Sequence, residues 1–221
     1  LTSFMSQKTL KKVTVGDIRI NGSKFFTAED VVEKSSLHNP TPLILIKTKY
    51  IEKELKQNLA LKNVSITKEL LPFGLKILIQ TRVPIAYGEK FINGKKVLGF
   101  VDEDGFFINK KFSNRIDFKN FNIQVFGWRE GFKKSISEIL TFNKHNEIEL
   151  RKISFSPNGF LTVEEKELKT VLLGFNPKLI GTQLRVIIHL KKQLKLNNFS
   201  EKIDNVDLTD PNQPKIKVFK P

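Results

Sequence analysis

Three histidines are the side chains of this sequence best suited to bind a metal or to act as a general base: His38, His145 and His189. His189 shares a predicted helix face with Arg185 and Lys192, which favours exposure to solvent. His38 and His145 lie in predicted loops, without carboxylates at metal-ligand spacing. We therefore predict neither a metal site nor a catalytic base at the histidines.

The acidic run Asp102-Glu103-Asp104-Gly105 allows two interpretations. A calcium loop would need further spaced acidic positions and a distal Glu, and the run has neither. An Asp-Gly pair between apolar runs at 97–101 and 106–108 is typical of a β-hairpin turn. We predict the hairpin.

Other signatures of catalysis are missing from the sequence. It contains no Gly-x-Ser-x-Gly, no phosphate-binding glycine loop, no His-Glu-x-x-His and no cysteine, which removes thiolate nucleophiles and zinc–cysteine sites. We predict that the protein is not an enzyme and has no catalytic residues, no cofactor and no metal.

The net charge of +15, from 38 Lys and Arg against 23 Asp and Glu, is the strongest compositional feature. It favours contact with nucleic acid, anionic lipid or an acidic partner, or it serves solubility alone. The lysines are spread along the chain without a long basic block, which disfavours nucleic acid. A lipid contact and a solubilising coat both stay open.

No segment approaches the roughly 20 apolar residues that cross a bilayer. The sequence nevertheless opens on Leu1 rather than Met. We therefore expect that an upstream segment has been removed, and a signal or membrane anchor could have been part of it.

Hydrophobic periodicity predicts a first unit of strand, helix, helix, strand and strand. Thr27 and Asp30 form a capping box at the first helix, and Thr48 caps the second. The strands are predicted around 18–20, 64–66 and 75–79, with a turn at 71–74 and a polar linker at 1–12. This order indicates a short sheet with two helices on one face.

The remaining residues predict a mostly antiparallel sheet that carries two helices. One helix is predicted from Trp128 to Phe142, and another opens at Asn176 and Pro177, which suit the cap and first-turn positions. The predicted strands lie at 97–101, 106–108, 123–126, 147–155, 160–163, 168–173, 203–208 and 215–220.

Pro84 marks the joint between the two units. Proline cannot donate to a central strand ladder and forces the preceding residue into extended geometry. We predict that a strand of the first unit runs straight into the second unit here without further pairing.

These residues together resemble the extracytoplasmic part of the bacterial cell-division family FtsQ/DivIB, and the first unit resembles its POTRA (polypeptide-transport-associated) domain. The resemblance covers roughly residues 13 to 220. It implies an α+β fold: a linker at 1–12, a β-α-α-β-β POTRA domain at 13–83 and a β domain at 84–221. The matching motifs are Ile18-Arg19-Ile20-Asn21-Gly22 before Thr27-Ala28-Glu29-Asp30-Val31, Leu71-Pro72, the joint residues Arg82, Pro84 and Ala86, Val101-Asp102 with Asp104-Gly105, Leu173-Gly174, and Val206-Asp207-Leu208.

Three positions depart from the family pattern. Thr81 stands where the family usually has Glu, Asn63 where Pro often precedes the second strand, and Thr209 where Arg often follows Asp-Leu. They remove no core position, so they leave the predicted fold intact, but they weaken the transfer of individual contact residues.

The resemblance also implies a function. Such a protein is a non-enzymatic scaffold of the division machinery, the divisome, with one upstream transmembrane helix in the bacterial plasma membrane and this region outside the cytoplasm at the septum. Its POTRA unit meets other division proteins, and its C-terminal sheet binds FtsB-like and FtsL-like coiled-coil proteins. The alternatives are a POTRA-bearing transport or chaperone protein for membrane-protein export, and a basic nucleic-acid-binding protein.

The last predicted strand, within "KIKVFKP", is the candidate binding site. Lysines and flanking prolines guard natural edge strands against unwanted pairing, so a merely guarded edge is one interpretation. A docking edge that pairs with an incoming strand is the other, and the resemblance favours it. Alternation places Ile216 and Val218 on one face, with Lys215, Lys217 and Phe219 on the other. We predict Phe219 as the apolar anchor, and Lys215, Lys217 and Lys220 as contacts for acidic residues of the partner.

Overall fold

The computed structural model describes residues 11–23, 25–111, 121–146, 148–196 and 203–219. The chain divides into two compact units between Val83 and Pro84, and each unit has its own apolar core. Within these residues, no helix combines the length and the apolar character needed to cross a membrane.

The first unit has the predicted order of strand, helix, helix, strand and strand, with a two-stranded pair added. Lys12, which the sequence assigned to a linker, belongs to that pair. The elements are β1 (Lys12–Val13), β2 (Ile18–Asn21), α1 (Ala28–Glu33), β3 (Thr41–Pro42), α2 (Thr48–Asn58), β4 (Asn63–Leu70) and β5 (Phe73–Gln80).

Local side-chain bonds fix the start of helix α1. The predicted capping box is confirmed: the Asp30 backbone N–H donates to Thr27 Oγ1 over 3.3 Å, and the Thr27 N–H donates to Asp30 Oδ2 over 3.0 Å. Helix α2 begins one residue earlier than predicted, because Thr48 is itself helical and Lys47 is the cap. The apolar side chains of Ile51 and Leu55 in α2 are buried.

The first sheet has the order β2-β5-β4, with β5 in the centre. Alternate side chains of β5 are buried against the helices. The predicted turn at 71–74 is shorter than expected, since Phe73 and Gly74 already belong to β5. Gly74 is required there: its φ is +141°, and a Cβ would lie 2.0 Å from the carbonyl oxygen of Asp17.

In the described part of the chain, the second unit has one sheet of nine strands and two α-helices, which confirms the predicted α+β class. The strand order is β14-β13-β12-β11-β10-β9-β6-β7-β8, antiparallel at five junctions and parallel at three. The elements are β6 (Pro84–Ile92), β7 (Lys95–Asp102), β8 (Phe107–Asn109), β9 (Gln124–Phe126), α3 (Lys133–Asn146), β10 (Leu150–Phe155), β11 (Leu161–Glu165), β12 (Lys169–Gly174), α4 (Ile180–Leu196), β13 (Ile203–Asp207) and β14 (Lys215–Val218).

Two turns of this unit are as predicted. In the β7–β8 hairpin, the Phe106 N–H donates to Asp102 Oδ1 over 2.8 Å. Before α4, the Lys178 N–H donates to Asn176 Oδ1 over 3.1 Å. Helix α3 begins later than predicted, because Trp128 lies before it and donates through Nε1 to the Gly105 carbonyl over 2.8 Å.

The predicted continuous strand at Pro84 is wrong. Strand β5 ends at Gln80, no strand includes residues 81–83, and Pro84 is the first residue of β6, opposite Asp102. The physical reason is that a proline is tolerated at the first position of a strand, where its missing N–H costs little. Arg82 is half-buried before this break, and Ala86 is fully buried after it.

Candidate protein-binding edge

Strand β14 is the outermost strand of the nine-stranded sheet and pairs only with β13 among the described residues. All four of its residues are exposed, and so is Phe219, which follows directly. Lys220 lies outside the described residues. Four of the six predicted docking residues thus form β14, which ends earlier than the predicted strand at 215–220, and Phe219 follows it directly.

The apolar side chains of β14 lie opposite buried core residues of β13. Ile216 lies opposite Val206, and Val218 lies opposite Ile203. Val206 and Ile203 are buried in the core cluster, whereas Ile216 and Val218 are still about half-exposed. An incoming strand would therefore cover apolar surface as well as backbone.

The lysines of β14 face acidic side chains of their own hairpin. Lys217 lies opposite Asn205, and its Nζ is 3.6 Å from Asp204 Oδ2. Lys215 lies opposite Asp207. Part of the lysine charge that we expect to attract an acidic partner is thus already neutralised by acidic residues of the same hairpin.

The connection from β13 to β14 is fixed by short carboxylate turns. Asp207 Oδ1 accepts hydrogen bonds from the Thr209 N–H over 2.9 Å and from Thr209 Oγ1 over 2.7 Å. These bonds lower the pKa of Asp207, and nearby Lys215 lowers it further. Asp210 Oδ1 accepts from the Asn212 N–H over 3.0 Å. These bonds therefore help to set the register in which β14 pairs with β13.

Gln183 is a supporting residue that the sequence reasoning missed. It is fully buried in α4, and its Nε2 donates to the carbonyls of Leu173 and Leu208, both over 2.7 Å. These carbonyls lie at the end of β12 and directly after β13, so one amide ties the two strands together. Its position between the apolar residues Ile180 and Leu184 was the signal in the sequence that could have identified Gln183.

In β4, the long edge strand of the first unit, a side chain engages one backbone donor, and we call this edge closed. The Ile66 N–H of β4 donates to Glu52 Oε1 of α2 over 2.8 Å, and Lys68 Nζ donates to the Ile44 carbonyl over 3.1 Å. No comparable side-chain bond reaches the backbone of β14 from the described residues. The outer strands β4 and β14 thus differ in whether a side chain engages a backbone group of the strand.

His145 lies in helix α3 and not in the predicted loop, and its Nδ1 is 2.7 Å from the Thr141 carbonyl oxygen. His189 is exposed on α4 beside Gln193, with their Nε2 atoms 2.9 Å apart. Within the part of the chain that the structure describes, no group of three or more His, Asp or Glu side chains is placed to hold a metal ion.

The first unit has counterparts among known proteins. Residues 13–82 match the POTRA domain, FtsQ-type. These residues include every strand and helix of the first unit except Lys12 of β1. No curated protein matches the chain.

Proposed function

Because the chain is an FtsQ/DivIB-like protein with a POTRA domain at residues 13–82, we propose that it is a non-enzymatic scaffold of the bacterial division machinery. In this proposal it links early and late division proteins through protein–protein contacts. It is anchored in the plasma membrane by an upstream helix, with both units outside the cytoplasm at the septum.

The open outer edge of β14 is the observation that carries the proposal. An edge strand offers backbone N–H and C=O groups to an incoming extended segment, and alternate side chains then give specificity. The partners we propose are FtsB-like and FtsL-like proteins. The closed edge of β4 supports this choice of strand, because Glu52 occupies a backbone donor that pairing would need.

Phe219 is the proposed anchor of the contact. It is 60% exposed and lies beyond the last residue of β14. Buried aromatic side chains contribute much of the affinity at protein interfaces. Lys215 and Lys217 would then help in orienting an acidic partner, and their main effect would be on the association rate. We propose the same role for Lys220, on the basis of its position in the sequence alone.

The POTRA unit is proposed to meet different division proteins. The joint residues Arg82, Pro84 and Ala86 are proposed to connect the two contacts within one chain. Neither unit is proposed to bind a cofactor, a metal or nucleic acid.

Site-specific crosslinking in living bacteria tests this proposal. A photoreactive phenylalanine analogue at Lys217 is expected to capture small coiled-coil division proteins during constriction. The same analogue at Ser65, an exposed residue of β4, is the matched control and is expected to capture none of them. Equal capture from both positions, or capture from Ser65 alone, would contradict the choice of β14.

A further inference from the structure

The tip of the β6–β7 hairpin exposes apolar and cationic side chains side by side. Phe91 is 61% exposed and Ile92 is 47% exposed. Strand pairing continues to the turn, with Phe91 opposite Lys96 and Ile92 opposite Lys95. One strand of the tip is therefore apolar, and the other is cationic.

The two apolar side chains point to opposite faces of the hairpin, because successive residues of a strand alternate. Both are nevertheless exposed, and a lysine lies across from each. A protein that docked on one face would leave the other apolar residue in water. The interface of a lipid bilayer surrounds an inserted tip and covers both faces at once.

The charge of the tip selects the kind of lipid. Lysine stems lie along apolar surface while their ammonium groups reach for phosphate, and each lysine near an anionic leaflet strengthens binding. The net charge of +15 adds a long-range attraction of the same sign. We propose that the tip of the β6–β7 hairpin inserts shallowly into the headgroup region of an anionic membrane.

The base of the hairpin is held firmly, so little conformational entropy is lost on insertion. Lys90 Nζ lies 4.4 Å from the centre of the Phe107 ring and 5.1 Å from that of Trp128. On the other face, the Tyr87 ring packs at 5.2 Å against Phe121. The depth of insertion is limited by the polar backbone of the turn.

Glu89 makes the proposal sharper. Its carboxylate lies 2.6 Å from Lys96 Nζ and balances part of the charge of the tip. Replacing it with the uncharged isostere glutamine would free Lys96 for a lipid phosphate. The lipid proposal therefore predicts a variant that binds more tightly than the natural chain.

Vesicle binding by the 221-residue chain tests the proposal, with vesicles of phosphatidylcholine alone or with equal parts of phosphatidylglycerol. We expect binding only with phosphatidylglycerol. Replacing Phe91 and Ile92 together with Ser is expected to weaken it at least about tenfold, and Lys95→Ala with Lys96→Ala about tenfold. Glu89→Gln is expected to strengthen it about threefold.

The matched control replaces Ile44 and Leu45 with Ser in the first unit, where they are 64% and 67% exposed. Those changes are expected to leave vesicle binding unchanged. Equal losses from the two apolar pairs, or binding that ignores phosphatidylglycerol, would overturn the proposal. So would a protein partner that is lost with Phe91 while vesicles are not bound.

A spectroscopic readout uses the lack of native cysteine. An environment-sensitive dye on Lys95→Cys is expected to shift to the blue with anionic vesicles, and the same dye on Lys166→Cys is not. This inference goes beyond the proposed scaffold function and does not depend on it: Phe219→Ala is expected to keep vesicle binding, so the two can fail separately.

Discussion

The outer strands β4 and β14 show two ways to end a sheet. Strand β4 has eight residues, and a carboxylate from its own helix α2 occupies one of its backbone donors. Strand β14 has four residues, all exposed, with Phe219 directly after it. The longer edge, which carries the greater risk of unwanted pairing, is the one that side chains close.

This difference teaches that exposure alone does not identify a binding strand. Both edges carry lysines and exposed side chains, so their sequences look alike. What separates them is Glu52, which reaches the edge of β4 from another element. A binding edge is best recognised by whether its backbone groups are already engaged.

The largest effect is expected from breaking the buried ion pair of the second unit, the unit that carries the open edge. Lys191 Nζ lies 2.6 Å from Glu165 Oε1, and both side chains are largely buried. Lys191→Met would leave the buried Glu165 carboxylate without its cationic partner and is expected to destabilise the second unit by about 3 kcal/mol. Hydrogen exchange should show faster opening in the second unit alone, with Lys192→Met as the neutral control. Equal acceleration in the first unit would contradict the picture of two separate cores.

Removing the proposed anchor should weaken the open edge as a binding site. Phe219→Ala is expected to weaken partner binding by about 2 kcal/mol, or about thirtyfold, with the fold unchanged. The control is Phe175→Ala, because Phe175 is 62% exposed but lies after β12, away from the edge. Calorimetric titration measures both, and similar losses from the two variants would remove Phe219 from the site.

Removing Glu52 should free a backbone donor on the outer edge of β4, so that this edge can pair with another strand as we propose for β14. Glu52→Ala removes the acceptor of the Ile66 N–H and is expected to destabilise the first unit by about 1.5 kcal/mol. The exposed donor should also promote self-association, measurable by light scattering. Glu33→Ala, on the exposed side of α1, serves as the control. An unchanged first unit would show that Glu52 does not protect this edge.

The smallest effect concerns a feature that both units share, an aspartate that accepts two hydrogen bonds from a nearby threonine. Asp17 is bound by the N–H and hydroxyl of Thr14, as Asp207 is by Thr209, and both aspartate pKa values are lowered. A lowered folded-state pKa stabilises the fold above the unfolded value, and this contribution is lost as the pH falls through the folded value.

The two units differ in which hydrogen bond contributes more to the lowered pKa of the aspartate. The hydroxyl bond is the larger cause for Asp17, and the backbone bond is the larger cause for Asp207. Each hydroxyl bond lowers the pKa of its aspartate, so Thr14→Val should raise the pKa of Asp17 and Thr209→Val should raise that of Asp207. Carboxyl NMR titration measures both shifts. The cost in stability should stay below about 1 kcal/mol because the groups are partly exposed, and an aspartate pKa that does not rise in its variant would contradict the assignment.

Local chemistry was predictable from the sequence. The capping box at Thr27, the Asp-Gly hairpin at 102–105 and the cap at Asn176 depend on neighbours within a few residues, so their residue types carry the information. One local signal was missed: the Asn93-Gly94 pair turns β6 into β7, and its hairpin carries the proposed lipid contact.

Long-range pairing was not predictable in the same way. Strand β9 lies between β6 and β10 and runs parallel to both, and no periodicity shows which strands become neighbours. Glu52 and Gln183 form hydrogen bonds with residues 10 to 25 positions away. The predicted identity of the β14 edge came from composition and family resemblance, whereas the closure of β4 needed the fold.

The most direct test of the central claim is a binding titration of the chain against extracytoplasmic segments of FtsB-like and FtsL-like proteins from the same organism, with and without residues 214–221. The account predicts saturable binding that disappears on truncation while the circular dichroism spectrum shows a folded protein. Binding that survives the truncation of a folded chain would contradict the assignment to β14. No binding by the intact chain would contradict the proposed partners.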